Sequence, residues 1–210
     1  ILSFFIHLYL AAQHYALKYG YDASQSLCTL NDTFNCEAVT LSPYSYLVGI
    51  PMALWGAVFH IVFLILLILA ALTPEKPSYF KYSFLFTILS AIASTAMLGV
   101  SLTLMSTYCI FCLALYFLSY CNLANYLLSK PKPSLPSGAD YKQKSFVFLI
   151  VAIPLLGFLL NDMSVKSYGN KLDSFLGDSL SQWDNAAATS IEGPLLKMGS
   201  SDSQFQVRSE

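Results

Sequence analysis

The stretch Tyr82–Ser129 reads YSFLFTILSAIASTAMLGVSLTLMSTYCIFCLALYFLSYCNLANYLLS and contains no ionised side chain. A helix needs roughly 20 apolar residues to cross a bilayer, so this stretch has room for two crossings joined by a tight turn. Across the chain, 56% of the residues are hydrophobic and 11% are charged, and that charged fraction is about half of what a soluble domain carries. The sequence therefore predicts an all-α integral membrane protein surrounded by lipid.

Reading outward from this stretch gives five candidate membrane-spanning helices. A second gap without charged residues, between Glu37 and Glu75, has room for one more crossing and a polar approach. The predicted spans are approximately Ile1–Tyr19, Tyr46–Leu72, Tyr82–Met105, Cys109–Leu128 and Ser145–Leu160. The net charge of −1 leaves no basic surplus to neutralise phosphates, so nothing in the composition argues for a nucleic-acid partner.

The lysines near the span ends predict how the helices are oriented. The turn after the second span and the connector before the fifth contain Lys76, Lys81, Lys130, Lys132, Lys142 and Lys144. Lysine and arginine concentrate in cytoplasmic loops, so the opposite helix ends are predicted to face the periplasm, or an equivalent lumen, across the inner cell membrane. Residues 1–130 would form a four-helix transmembrane domain, residues 131–160 a cytoplasmic connector with the fifth span, and residues 161–210 a polar periplasmic tail.

Four of the five cysteines are predicted to meet on one face of the membrane. Cys28 and Cys36 lie in the loop after the first span, and Cys109 and Cys112 form a Cys-x-x-Cys pair where the fourth span begins. Counting spans puts both pairs on the non-cytoplasmic side, where disulfides persist. Cys121 lies deeper in the fourth span and is interpreted as a small apolar filler.

Three interpretations of the two pairs remain open from the residues alone. A structural disulfide would pin the loop but leaves the Cys-x-x-Cys pair unexplained. A four-thiolate zinc site fits the spacing, although an oxidising compartment disfavours it. A thiol–disulfide relay accounts for both pairs, because the first turn of a helix favours a thiolate and the pair borders the acyl layer in which lipid-soluble quinones reside.

Three motifs together resemble vitamin K epoxide reductase and its bacterial homologues. They are the spacing C-x7-C from Cys28 to Cys36, the segment SPYSYLVGIPMALWG entering the second span, and TYCIFCLALY opening the fourth. The resemblance covers Cys28 to about Leu128. It implies a four-helix bundle around a quinone (ubiquinone, menaquinone or phylloquinone) and a fifth helix that leads to a thioredoxin-like domain.

The resemblance also implies a role for each of the four cysteines. Cys28 would be the outer shuttle thiol that meets a reduced thioredoxin-fold partner or fused domain. Cys36 would pass the electrons on through a mixed disulfide with Cys109, and Cys112 would face the quinone. The tail, residues 161–210, would then be the lead-in to a truncated thioredoxin-like domain, whereas its polar composition alone predicts a flexible segment.

Three further polar residues, Ser42, Tyr116 and His60, each have a functional and a structural interpretation. By resemblance, Ser42 lies near the quinone ring and Tyr116 donates a hydrogen bond to a quinone oxygen. A serine before proline is also a common helix start, however, and tyrosines are common at membrane interfaces. His60 is either a functional group or part of a helix–helix hydrogen bond, while His7 and His14 share a helical face and have no predicted role.

The sequence and the resemblance together predict a membrane enzyme that oxidises a thioredoxin-fold partner and reduces a quinone. Such an enzyme generates disulfides for protein folding, and no metal is assigned to it. A vitamin K epoxide as the acceptor is one alternative. A structural or metal-binding membrane protein whose cysteines never cycle is the other.

Overall fold

A computed structural model describes residues 1–20, 27, 29–31, 33–129, 134–138 and 144–190; for residues 144–146 and 184–190 it describes only the backbone. Cys28, Lys130, Lys132, Lys142 and the last part of the predicted tail, residues 191–210, lie outside the described residues. The described elements are α1 (Leu2–Lys18), α2 (Cys36–Leu41), a 3-10 turn (Pro43–Ser45), β1 (Tyr46–Leu47), β2 (Ile50–Pro51), α3 (Met52–Leu72), α4 (Pro77–Thr103), α5 (Ile110–Leu128) and α6 (Lys144–Ser190).

The predicted all-helical membrane fold class is confirmed. Within the described residues, α3, α4, α5 and the part Val147–Trp183 of α6 are long and apolar enough to cross a membrane. The helix α1 has 17 residues, which corresponds to about 26 Å at ~1.5 Å per residue. It is therefore slightly shorter than the hydrocarbon core of ~30 Å, and its crossing stays a prediction.

The helix α3 begins later than the sequence predicts, at Met52 instead of Tyr46. Before it, β1 and β2 pair in antiparallel register. The two residues between them, Val48 and Gly49, have φ angles of +54° and +76°, the left-handed conformations that a tight hairpin turn requires. Because Pro51 holds extended backbone immediately before the helix, the helical conformation starts only after it.

The last described helix extends beyond its predicted end near Leu160 and continues to Ser190. Pro154 is the proline inside it, and no later proline interrupts the helical residues. An ion pair between Lys166 and Asp162 at 2.7 Å, one turn apart, supports the polar part. Residues 161–190 of the predicted tail are therefore helical, and the assignment of this segment to a periplasmic tail stays a prediction. Ile1–Tyr168 forms one compact unit, and a second unit begins at Gly169.

The bundle within the first unit is built by neighbouring pairs of helices. The helix α3 packs against α1 and α4, α4 packs against α5, and α1 contacts α5, while α2 lies on α1. Tyr82 and Leu66, 0% and 1% exposed, belong to the apolar cluster between α3 and α4. Between α4 and α5, the Tyr126 hydroxyl donates to Ser83 Oγ at 2.8 Å, a contact typical of helices that associate inside a membrane.

Candidate active site

The segments before Cys36 and before Cys109 are joined by main-chain hydrogen bonds. Phe34 and Tyr108 form a parallel bridge. The Asn35 N–H donates to the Tyr108 carbonyl at 3.0 Å, and the Tyr108 N–H donates to the Thr33 carbonyl at 2.8 Å. We refer to these two hydrogen bonds as the backbone clasp. It explains how a loop cysteine comes to lie beside the first turn of α5.

The polar residues of the loop fix the position of Cys36 locally. Asn35 is the N-cap of α2, and its Oδ1 accepts from the Ala38 N–H at 3.0 Å. Such a cap satisfies one of the free N–H groups that every helix start leaves. Asn31 stabilises the preceding turn by accepting from the Phe34 N–H at 2.8 Å. Cys36 is therefore the first helical residue of a capped turn and is 2% exposed.

The sulfurs of Cys36 and Cys109 lie 3.2 Å apart. Cys36 is disulfide-bonded, whereas Cys109 is a free thiol. A bonded pair would be separated by about 2.05 Å, so this is a contact between non-bonded atoms. Its length falls within the roughly 3–3.5 Å at which reacting atoms are poised for attack. Both residues pack with Leu10 of α1 in a small buried cluster.

The start of α5 stabilises the thiolate form of Cys109. Cys109 is the N-cap of the helix, and its Sγ accepts from the Cys112 N–H at 3.2 Å. The pKa of the Cys109 thiol is lowered, chiefly by the hydrogen bond from the Cys112 thiol and further by the N–H groups of Cys112 and Phe111, while burial opposes the shift. This direction agrees with the prediction that the first helical turn favours a thiolate.

Cys112 faces a different environment, a cavity of about 830 Å³ inside the bundle. Ser42 and Tyr116 line the same cavity. Its apolar wall includes Trp55, Phe59, Phe63, Met97, Leu115 and Leu118. The structure thus brings together three of the six predicted site residues at the cavity and two, Cys36 and Cys109, at the sulfur contact. Cys28 lies outside the described residues.

The side chains of Ser42 and Tyr116, both predicted to lie near a quinone, make different contacts. The Ser42 hydroxyl donates to the Val39 carbonyl at 2.7 Å, and Ser42 ends α2 immediately before Pro43. Ser42 thus precedes the 3-10 turn as a helix start would, but its hydroxyl does not cap that turn, and its function toward a ligand stays a prediction. Tyr116 lies deeper along α5, lines the cavity and interacts with Ser101 of α4.

The three histidines of the chain all line the cavity, a convergence that the sequence did not predict. The Nδ1 atoms of His7, His14 and His60 bond the carbonyl oxygens of Ser3, Thr40 and Gly56 at 2.7, 3.1 and 2.8 Å. His60 Nδ1 bonds a carbonyl oxygen of its own helix. This nitrogen therefore does not make the predicted hydrogen bond to another helix. The only signal in the sequence was the shared face of His7 and His14.

Cys121 is a free, half-buried thiol that also lines the cavity, and its interpretation as a filler stays a prediction.

Among the residues that the structure describes, no three His, Cys, Asp or Glu side chains are grouped as a metal ion would require.

Comparison with known proteins gives one match. The family model described as the vitamin K epoxide reductase family matches residues 1–126. Neither the curated proteins nor the solved structures give a match. The matched range contains every residue named above for the sulfur contact and the cavity.

Proposed function

The chain belongs to the vitamin K epoxide reductase family and is a membrane oxidoreductase, and we propose that it carries electrons from a thioredoxin-fold dithiol to a quinone. In this proposal Cys28 and Cys36 form the outer pair, and Cys109 and Cys112 form the inner pair. Reoxidation of the thioredoxin-fold partner would supply disulfides for protein folding. The observation that carries the proposal is the 3.2 Å contact of Cys36 with Cys109, combined with the cavity at Cys112.

The first half of the proposed cycle is thiol–disulfide exchange. The partner's two thiols reduce the Cys28–Cys36 disulfide, and the partner leaves as a disulfide. The Cys36 thiolate then attacks the Cys109–Cys112 disulfide at Cys109, which releases the Cys112 thiolate, and Cys28 resolves the mixed disulfide. After these steps the outer pair is oxidised and the inner pair is reduced. That distribution is consistent with a disulfide-bonded Cys36 beside free Cys109 and Cys112.

The second half would take place at the cavity. When the inner pair closes to a disulfide, it releases two electrons and two protons. A bound quinone would accept them. Cys112 lies on the cavity wall, and Tyr116 would hold a ring oxygen through its hydroxyl. The Cys109 thiolate, favoured at the N-cap, supplies the second sulfur of the new disulfide.

The cavity fits a quinone in size and chemistry. Ligand pockets are typically about 300–1,000 Å³ with apolar and aromatic walls and few polar groups. A cavity of about 830 Å³ with aromatic side chains such as Trp55 and Phe59 meets this description. A vitamin K epoxide would enter the same cavity and draw electrons in the same direction, so it remains a second candidate acceptor.

The orientation of the protein is also part of the proposal. Lys76 and Lys81 lie at the beginning of α4, while the Cys-x-x-Cys pair follows its end at Thr103. The helix α4 has 27 residues between Lys76 and the turn before the cysteine pair, or about 40 Å at ~1.5 Å per residue, and Lys81 lies in the second turn of this helix. Because lysines favour the cytoplasmic side, the sulfur contact would face the periplasm or a lumen.

Counting free thiols tests whether the cysteines cycle. The protein carries Cys121→Ser, so that four cysteines remain; it is reduced in lipid nanodiscs, mixed with one equivalent of a quinone, and labelled with a maleimide mass tag. We expect the quinone to remove two thiols from the protein, and the Cys112→Ser version to lose none directly to the quinone. An unchanged thiol count in the parent protein would show that the cysteines are structural or bind a metal.

A further inference from the structure

His14 has an unusual position in the cavity wall. The residue is 1% exposed and lines the cavity. Its Nε2 atom is buried and has no hydrogen-bond partner among the described residues. A buried polar atom without a partner is destabilising, and such atoms in native proteins call for an explanation. The Nε2 atom itself is not exposed to the cavity, so a ligand would provide the missing partner when the surrounding side chains shift to admit a hydroxyl group beside it.

The other ring nitrogen determines what kind of partner Nε2 requires. Nδ1 lies 3.1 Å from the Thr40 carbonyl oxygen, and a carbonyl oxygen only accepts hydrogen bonds. Nδ1 must therefore carry the proton, which leaves Nε2 of the neutral ring as an acceptor. The ring is also packed edge-to-face against Tyr46, at 4.6 Å and 79°, and against Tyr15, at 5.7 Å and 87°. These contacts hold the imidazole in this orientation.

We propose that His14 Nε2 accepts a hydrogen bond from a hydroxyl group of the reduced, dihydroxy form of the quinone ring, and so selects the hydroquinone over the quinone. This inference rests on the proposed function. A quinone oxygen has lone pairs and no proton, so it does not satisfy a neutral Nε2, whereas a hydroquinone hydroxyl does. His14 is thus a residue that determines specificity for one oxidation state.

Selective binding of the hydroquinone has a consequence for the direction of electron flow. Stabilising the reduced form of a bound couple makes its oxidised form a stronger oxidant. A tenfold preference for the hydroquinone corresponds to about 30 mV for a two-electron couple. His14 would therefore help to draw electrons from the inner cysteine pair into the cavity.

The variant His14→Asn separates this function from the packing of the ring. The asparagine amide N–H occupies the place of Nδ1–H and keeps the donor to Thr40, while the Nε2 acceptor is lost. Binding of a 1,4-naphthoquinone and of its 1,4-dihydroxy form is measured anaerobically by calorimetry in nanodiscs, in a Cys112→Ser background. That background prevents the bound ring from being converted during the measurement.

We expect His14→Asn to weaken binding of the dihydroxy ring by about tenfold, or about 1.4 kcal/mol, and to change quinone binding by less than about twofold. Tyr120→Phe is the control, because Tyr120 lies outside the cavity wall and its hydroxyl shares a hydrogen bond with Thr95 at 3.0 Å. The control should leave the ratio of the two affinities nearly unchanged. If His14→Asn does not fold, His14→Gln, whose amide oxygen reaches the Nε2 position, should retain the preference for the dihydroxy ring.

The other outcomes overturn the inference in different ways. Equal weakening of both rings by His14→Asn would make His14 a packing residue, and loss of quinone binding alone would make it a cationic donor. An unchanged ratio, or an equal change in the Tyr120→Phe control, would also refute a selective acceptor at His14. If the parent protein bound neither ring, the proposed function itself would fail. Quinone-dependent loss of thiols together with an unchanged ratio would remove only the inference about His14.

Discussion

The two sides of the first turn of α5 differ sharply, although they are formed by cysteines three residues apart. On one side Cys109, 3% exposed, is packed against Cys36 and Leu10. On the other side Cys112 opens onto a cavity of about 830 Å³. One helical turn therefore separates a closely packed sulfur contact from a space large enough for a small molecule.

This difference would allow one short motif to serve the two kinds of chemistry that we propose. Exchange between sulfurs requires a fixed approach of about 3 Å, which packing and the backbone clasp provide. Binding of a lipid-soluble ring requires volume and a few directed polar groups, which the cavity provides. Each prediction below changes one side of the turn and tests whether the other side is unaffected.

Replacing the inner cysteines should have the largest effect. We expect both Cys109→Ser and Cys112→Ser to lower quinone-dependent turnover by at least about a thousandfold, as removal of a nucleophile does. The two variants should differ in their intermediates. Cys112→Ser should accumulate a Cys36–Cys109 disulfide, which forms when the Cys109 thiolate attacks the Cys28–Cys36 disulfide and releases the Cys28 thiol, because no Cys112 thiol is left to displace Cys36 from Cys109. Cys109→Ser should not accumulate a disulfide to Cys36. Non-reducing peptide mapping by mass spectrometry distinguishes them, and a Cys36–Cys112 disulfide in Cys109→Ser would contradict the comparison.

The pH dependence of inner-pair oxidation should be the next largest effect. Closure of the inner disulfide uses the Cys109 thiolate. At pH values below the pKa of Cys109, the rate of inner-pair oxidation should therefore fall about tenfold for each pH unit. Because the pKa of Cys109 is lowered by the Cys112 thiol and by backbone N–H groups, the fall should begin at a lower pH than for an ordinary thiol of pKa ~8.5. Stopped-flow mixing of the reduced protein with quinone measures the profile. An inflection at or above ~8.5 would contradict a stabilised thiolate.

Removing the Tyr116 hydroxyl should affect only the cavity side. We expect Tyr116→Phe to raise the KM for quinone about fivefold, which corresponds to one hydrogen bond of ~1 kcal/mol, with the KM for the thiol partner unchanged. Tyr120→Phe is the matched control, since Tyr120 lies one turn later on α5 and shares a hydrogen bond with Thr95 at 3.0 Å. Steady-state kinetics with each substrate varied in turn test this, and equal effects of the two variants would argue against a ligand contact at Tyr116.

Loss of the α2 cap should have the smallest effect, confined to the sulfur contact. Asn35→Ala removes the bond to the Ala38 N–H and should destabilise α2 by about 1 kcal/mol. Turnover should fall a few-fold through slower sulfur exchange, while the KM for quinone stays constant. Asn35→Asp retains a capping oxygen and should restore the rate. A change in quinone KM without a change in exchange rate would break the comparison.

Some elements could be predicted from the sequence because their determinants are local. The apolar run between Lys81 and Lys130 predicted helices at Tyr82–Met105 and Cys109–Leu128, close to α4 and α5 as described. Two features were sufficient to predict these helices: the long gap between ionised residues and the position of the Cys-x-x-Cys pair. The start of α3 was wrong by six residues, because the hairpin before it depends on the backbone conformation of two residues, one of them the β-branched Val48.

The convergence of the histidines could not be predicted, because it depends on tertiary packing. The sequence places His7 and His14 on one face of α1, but only the packing of α1 on α3 brings His60 to the same cavity. The rings of His7 and His60 lie 4.8 Å apart. Gly56 permits this approach, because a methyl group at that position would overlap the His7 ring.

Because of the backbone clasp, the position of the two sulfurs depends more on the number of residues beside each cysteine than on the identity of their side chains. Main-chain hydrogen bonds of Asn35 and Tyr108 set the register, and most substitutions leave main-chain groups in place. Inserting one residue between Asn35 and Cys36, or between Tyr108 and Cys109, shifts an extended chain by about 3.3 Å, about as much as the whole distance of 3.2 Å between the sulfurs. We therefore expect the contact between the Cys36 and Cys109 sulfurs to tolerate substitutions of neighbouring residues far better than insertions.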